Sequence, residues 1–235
     1  MVTFVVLFDI DGTLVSSLTA EDAMLCYSEA IRDLVGRTPN VLPGRFTGMV
    51  DPQICQILLT EVGLTNDKVD YFVPKVLSRV IELYLRMDKT IALNNGVKEL
   101  LPLLVRSPRH AVGVLTGNLE PIAKEKLARA SIISYFSEFY CADRYFDRAR
   151  LVADALNSCV TKYQLSAGSN VMIVGDTPRD IAAANASEAT SIGIASSAFS
   201  MRQLSEAGAK QVYPSLKPTK QFLAGLRLDS QDNHP

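Results

Sequence analysis

The first apolar run, Phe4-Val5-Val6-Leu7, is short and rich in β-branched and aromatic residues, which predicts a buried strand. After Val15 the pattern changes. From about Ser17 to Met87 no strand pattern occurs, and apolar positions recur every three or four residues. Ala23, Met24, Tyr27, Ala30, Ile31 and Leu34 form one such stripe, predicting a helix over 20–34. Asp51-Pro52 opens a second helix, with Asp51 as N-cap and Pro52 at the first helical position, and Gly63 stops it. Asn66 or Asp67 opens a third, carrying Val69, Phe72, Val73, Val76, Leu77, Val80, Ile81, Tyr84 and Leu85. Pro74 in its early part argues for a start about one turn later.

From Leu93 onward, strand and helix patterns alternate. Helices are expected at 97–105, 120–130, 149–163 and 178–186. Strands are expected at 111–115, 139–141, 171–174 and 191–194, with an edge strand at 211–213. Such alternation predicts an α/β architecture, a parallel sheet with helices on both faces. The helical stretch interrupts it as an insert, giving a core of 1–16 with 88–235 and a helical unit at 17–87. Asp229 to Pro235, polar throughout, is expected to be a disordered tail.

Composition narrows the function classes. Of 235 residues, 48% are hydrophobic and 21% charged, as in a soluble globular protein. A net charge of −1 gives no support for nucleic acid or membrane-surface partners. No apolar run approaches the ~20 residues of a membrane span. Met1-Val2-Thr3 leads straight into the first strand, so no signal peptide is read. Cys26, Cys55, Cys141 and Cys159 lack metal-ligand spacing and suit a reduced, cytoplasmic protein. His110 and His234 leave little material for a histidine metal site or a Ser-His-Asp triad. Carboxylate chemistry is favoured by elimination.

The carboxylates stand where such chemistry would be. Asp9 and Asp11 are spaced i and i+2 at the carboxyl end of the first strand, so extended backbone sends both to one side. Gly12 supplies the turn. Two like charges this close need a divalent cation or a shared proton. A second strand ends in Thr116-Gly117-Asn118, a hydroxyl, flexible backbone and an amide suited to an anion. A third ends in Gly175-Asp176-Thr177-Pro178-Arg179-Asp180. A helix cap accounts for one polar residue there, not for a second carboxylate four further on. Asp9, Asp11, Asp176 and Asp180 then share one rim, which suits a hard, oxygen-loving ion such as Mg²⁺.

Taken together, Asp9-Ile10-Asp11-Gly12-Thr13-Leu14-Val15, Leu115-Thr116-Gly117-Asn118 and Gly175 to Asp180 resemble motifs one, two and four of the haloacid dehalogenase-like hydrolases. Asn95-Gly96-Val97, Phe46-Thr47-Gly48 and Asp51 extend the likeness over nearly the whole chain, and the phosphoglycolate phosphatase-like branch is the most similar. The resemblance implies a Rossmann-like three-layer core with a small all-helical cap domain. It implies a Mg²⁺-dependent phosphatase acting on a small phosphorylated metabolite through an aspartyl-phosphate. Asp9 would be the nucleophile and Asp11 the acid and base. The ion would be held by Asp9, the Asp11 carbonyl and Asp176, with Asp180 close behind. Thr116, Gly117 and Asn118 would hold the phosphoryl oxygens.

The chain departs from the family at the third motif, where a lysine is usual. The segment reads Asp143-Arg144-Tyr145-Phe146-Asp147-Arg148-Ala149-Arg150, and the alignment points to Arg148, with Arg144 and Arg150 as alternatives. Arg45, in a Gly-flanked loop, is the candidate for a second anionic group on the substrate. Ser16-Ser17 and 89–94 are the expected hinges. A monomer or weak homodimer is expected. The competing readings are a phosphomutase of the same branch and a catalytically silent binding module on the same fold.

Overall fold

The computed structural model describes residues 1–16, 18–42, 44–166 and 168–228. The polar segment 229–235, with His234, and Ser17, one of the expected hinge residues, lie outside them. Six parallel strands form one sheet in the order β3-β2-β1-β4-β5-β6. They are β1 (Phe4–Phe8), β2 (His110–Leu115), β3 (Glu138–Tyr140), β4 (Val171–Gly175), β5 (Thr190–Ile194) and β6 (Gln211–Tyr213). β1 and β4 lie side by side where the order reverses, the crevice at which open α/β sheets take ligands.

Alternation along β1 builds a core on each face. Val6 and Phe8 pack with Leu100, Leu101 and Leu104 of α4 (Val97–Arg106) and Leu127 of α5 (Glu120–Arg129). Val5 and Leu7 pack with Val152, Ala155 and Cys159 of α6 (Arg148–Tyr163) and Ala183 of α7 (Pro178–Ala186). The remaining helices are α1 (Leu18–Val35), α2 (Asp51–Glu61), α3 (Asn66–Arg86), α8 (Met201–Glu206) and α9 (Lys220–Gly225). Helices α1 to α3 have a core of their own, in which Tyr27, Leu58 and Val80 are fully buried. Leu119 and Ile122 reach into it from the β2–α5 connection and α5.

Three local expectations need correction. α3 begins at Asn66 and runs through Pro74, so burial of the valines on either side outweighs the lost backbone bond. Asp51 is the first residue of α2, and Val50 is its cap. Asp51 spends its polar groups elsewhere: its N–H donates to the Gly117 carbonyl at 2.8 Å and its carboxylate accepts the Leu119 N–H at 2.9 Å. The second carboxylate of the 175–180 segment also belongs partly to a helix cap. Thr177 and Asp180 form a reciprocal capping box at the start of α7.

The chain leaves and re-enters the sheet by two adjacent segments. The Ser16 N–H donates to the Ala92 carbonyl and the Asn94 N–H to the Leu14 carbonyl, each at 3.0 Å. The Asn94 amide then donates to the carbonyls of Gly12, Thr13 and Val15 at 2.7–3.1 Å. The loop that follows β1 is therefore held in shape by the returning strand of chain.

Candidate active site

Strand register decides which side chains meet. Phe8 pairs with Val114 on one side and Val174 on the other. Asp9 follows Phe8 directly, so it emerges level with the ends of β2 and β4, and its N–H still bonds the Val174 carbonyl at 2.9 Å. Asp176 leaves the neighbouring strand beside it. Carboxylate oxygens of Asp9, Asp176 and Asp180 all lie within 4.8 Å of one another, and all three residues are buried. Gly12 makes the approach possible. Its φ is +84°, and a Cβ there would strike the Asp176 carboxylate.

Three buried acids at this spacing repel one another, and the electrostatics follow. Burial, then Asp180, pushes Asp9 well above the ordinary carboxylate range; Arg148 opposes this, and Asp176 and Asp11 add to it. Asp176 is pushed up to about 7 by burial and by Asp180, although hydroxyls of Ser197 and Thr13 donate to it. The Thr13 bond is 3.0 Å.

Arg148, the first residue of α6, is the cation of this cluster. One of its nitrogens donates to Asp9 at 3.1 Å and to Asp180. Burial works against its charge, but Asp180 and Asp9 outweigh burial and hold it charged. Its Nε is buried with no partner among the described residues. Such a donor is costly to leave unpaired, and a ligand oxygen could supply the partner it lacks. Arg144 and Arg150 are elsewhere. Arg144 lies over the Tyr145 ring, and Arg150 pairs with Asp154 on an exposed surface. Arg148 bonds only one oxygen of Asp9; the other takes no hydrogen bond among the described residues.

Asp11 has a different partner, which the sequence reading missed. Lys126, fully buried on α5, donates to both Asp11 oxygens at 2.7 and 2.6 Å and to the Asn118 side-chain oxygen at 2.7 Å. The Asn118 amide donates to Asp11 at 2.7 Å and to the Thr116 hydroxyl oxygen at 2.8 Å. Thr116, Asn118, Lys126 and Asp11 thus form one connected polar chain. The signal was present: Lys126 sits on the apolar face of α5 with Ile122, Ala123 and Leu127, where a lysine needs a buried anion.

A cavity of about 380 Å³ opens over these groups. Asp9, Asp11, Asp176, Gly117, Asn118 and Arg148 line its floor. Thr116 is fully buried beneath and is not among the lining residues. Arg45 is not brought to the cavity either. It pairs with Glu61 of α2 at 2.9 Å, with its guanidinium over the Phe46 ring. Gly44 and Phe46, its neighbours, do line the space. Among the described residues no helix is long and apolar enough to cross a membrane.

The fold and these motifs have counterparts. A family model described as haloacid dehalogenase-like hydrolase matches residues 6–194. No curated protein matches the chain. Among solved structures, it is similar to a hydrolase from Pseudomonas syringae, with 21% identity and a TM-score of 0.69 over 95% of this chain and 99% of that one. A predicted phosphoglycolate phosphatase from Haemophilus somnus 129PT matches with 19% identity and a TM-score of 0.68, over 92% and 95%. A β-phosphoglucomutase from Clostridium difficile matches with 14% identity and a TM-score of 0.71, over 96% and 97%.

Proposed function

The chain belongs to the haloacid dehalogenase-like hydrolases, and from that premise we propose that it is a Mg²⁺-dependent phosphatase of a small phosphorylated metabolite. The convergence of Asp9, Asp176 and Asp180 beneath an open cavity carries the reading. Asp9, with one oxygen unengaged, attacks phosphorus and the ester oxygen leaves, so the phosphoryl group passes to Asp9. Asp11, entering the cycle protonated, gives that proton to the departing oxygen. It then takes one from the water that hydrolyses the phosphoaspartate. Lys126 and Asn118 fix the Asp11 carboxylate for both transfers. Arg148 and the Gly117 and Asn118 segment face the phosphoryl oxygens.

The donor set fits Mg²⁺: hard carboxylate oxygens, mutually repelling and already clustered. Asp9 and Asp176, with the Asp11 carbonyl, would hold the ion. Asp180 has one oxygen on Arg148 and the other on the Thr177 N–H and hydroxyl, so it supports from behind. A bound Mg²⁺ would neutralise the repulsion between these acids and an incoming phosphate.

A phosphomutase is the second reading, favoured by the likeness to a β-phosphoglucomutase. It would have to keep a polyol in place while the phosphoryl group waits on Asp9. The described helical wall of the cavity is largely apolar, which argues for the hydrolase. The test is phosphate release from p-nitrophenyl phosphate. Activity should need Mg²⁺, vanish with a chelator, and fall to background in Asp9→Asn with its circular dichroism unchanged. Persistent turnover in that variant would remove Asp9 from the role.

A further inference from the structure

The floor and roof of the cavity are chemically unlike. The floor carries the acids, Arg148 and the 117–118 segment. The roof, from α1, the 41–49 loop and α2, offers Met24, Leu25, Val41, Leu42, Phe46 and Ile54. Two of these, Leu25 and Leu42, are more than half exposed, at 60% and 54%. They are among the few large apolar side chains that the described surface shows, and both stand on this one cavity. The apolar lining thus includes both buried residues, Phe46 and Ile54, and residues exposed to solvent, Leu25 and Leu42.

The polar groups on the same wall are already engaged. Asp22 pairs with Lys89. The Thr47 hydroxyl donates to the Gly44 carbonyl at 2.9 Å, and the Thr47 carbonyl accepts from Arg179. Asp51 holds the Leu119 N–H. Arg45, beside the roof residues Gly44 and Phe46, is taken by Glu61. Among the described lining residues, the roof has no basic side chain to grip a carboxylate and no open array of donors for a sugar.

We infer that the substrate is a phosphate monoester of an uncharged, predominantly apolar alcohol, whose hydrocarbon body lies along Phe46 and Ile54 and covers Leu25 and Leu42 at the mouth. The inference rests on the phosphatase reading for the orientation of the ester, phosphate down and hydrocarbon up. Hydrophobic burial is proportional to the area covered and needs no directional partner. Each methylene laid on this wall should therefore strengthen binding by about the same factor until the wall is covered.

The experiment uses the full chain with Mg²⁺ and two homologous series from ethyl to octyl. n-Alkyl phosphates report turnover. n-Alkylphosphonates, which cannot be hydrolysed, report binding by calorimetry. For each added methylene, kcat/KM should rise and Kd fall by roughly threefold to fourfold, the factor that ~0.8 kcal/mol gives. The rise should sit in KM with kcat nearly constant, because the tail is bound alike before and during reaction. Phosphoglycolate and glucose 6-phosphate should be poorer than octyl phosphate by at least about a hundredfold. Leu42→Glu should cut kcat/KM for octyl phosphate at least about tenfold, because it puts a charge beside the tail.

Two results would overturn the inference while leaving a phosphatase. One is a flat or falling chain-length series; the other is a preference for phosphoglycolate or the sugar phosphate. A flat phosphonate series would mean that Leu25 and Leu42 meet other parts of the protein rather than a ligand, and it too overturns the inference. Phosphonates that tighten with length, on a protein that hydrolyses no ester, would keep the apolar subsite and dismiss the phosphatase.

Discussion

The two walls of the cleft are built by opposite means. On the sheet side, charges are concentrated at strand ends: Asp9 and Asp176 on adjacent strands, Arg148 at a helix start, and Lys126 fully buried against Asp11. On the helical side the described lining is largely apolar, and its charges, Asp22 and Asp51, are engaged by Lys89 and the Leu119 N–H. Backbone register fixes the strand ends from which the first wall's aspartates emerge. The second is shaped by side chains on two helices, α1 and α2, and the 41–49 loop, where a change of residue alters the lining without moving the strands. On the proposed reading, the charged wall would carry the chemistry and the apolar wall the choice of what enters.

Within the charged wall the two aspartates of the first motif have separate cations, and the largest expected effect comes from removing one. Lys126→Met keeps the length and apolar stem of the side chain but leaves Asp11 and Asn118 without their shared donor. The Asp11 carboxylate then loses its fixed orientation. Turnover should fall roughly tenfold to a hundredfold, within the range that a positioned acid or base contributes. KM should change little, since Lys126 is not among the residues lining the cavity. Lys126→Arg should not restore the rate, because a planar fork does not replace a compact ammonium in a fully buried site. Equal turnover in Lys126→Met and the parent would make Lys126 a packing residue only.

Much of the sheet side was legible because its signals are local. Strand periodicity located the strands, and a carboxylate just past a buried strand has few places to go. Lys126 was not legible in that way: its partner Asp11 lies 115 positions away, and a lysine on a helix usually means surface. The direction of Arg45 was hidden for the same reason, since it is set by Glu61 on a helix packed against its loop. Helices α8 and α9, six residues each, are too short to show a period. Asp51 reads as a cap by type and position. Only the docked 117–119 segment reveals that its bonds go outside its own helix.

The cost of the acid cluster should be visible in stability, with a smaller effect. Asp176 is pushed up from the ordinary 3.8 to about 7, so the folded chain holds this proton more tightly than the unfolded one. That contribution is whole below about pH 4 and is lost as pH rises through about 7. With a chelator present, the parent should lose melting temperature relative to Asp176→Asn between pH 5 and pH 8. The widening gap should reach at least roughly 2–4 °C, the shift that ~1 kcal/mol gives in a chain of this size. Mg²⁺ added at pH 8 should raise the parent and leave the variant nearly unmoved, because the ion replaces the proton as the neutraliser. Parallel melting curves with and without Mg²⁺ would mean that the cluster does not hold the ion.

The smallest expected effect sharpens the comparison most. Arg45 is the one cation near the roof that a reading by loop position assigns to substrate. It stacks on Phe46 and pairs with Glu61, away from the cavity lining. An exposed pair of this kind contributes little to stability or to a neighbouring site. Arg45→Ala should therefore leave kcat/KM within about twofold of the parent for both octyl phosphate and phosphoglycolate. A selective loss with phosphoglycolate would show that Arg45 swings from Glu61 to a substrate carboxylate. The roof would then be polar when occupied, and the contrast between the two walls would be a property of the empty cleft alone.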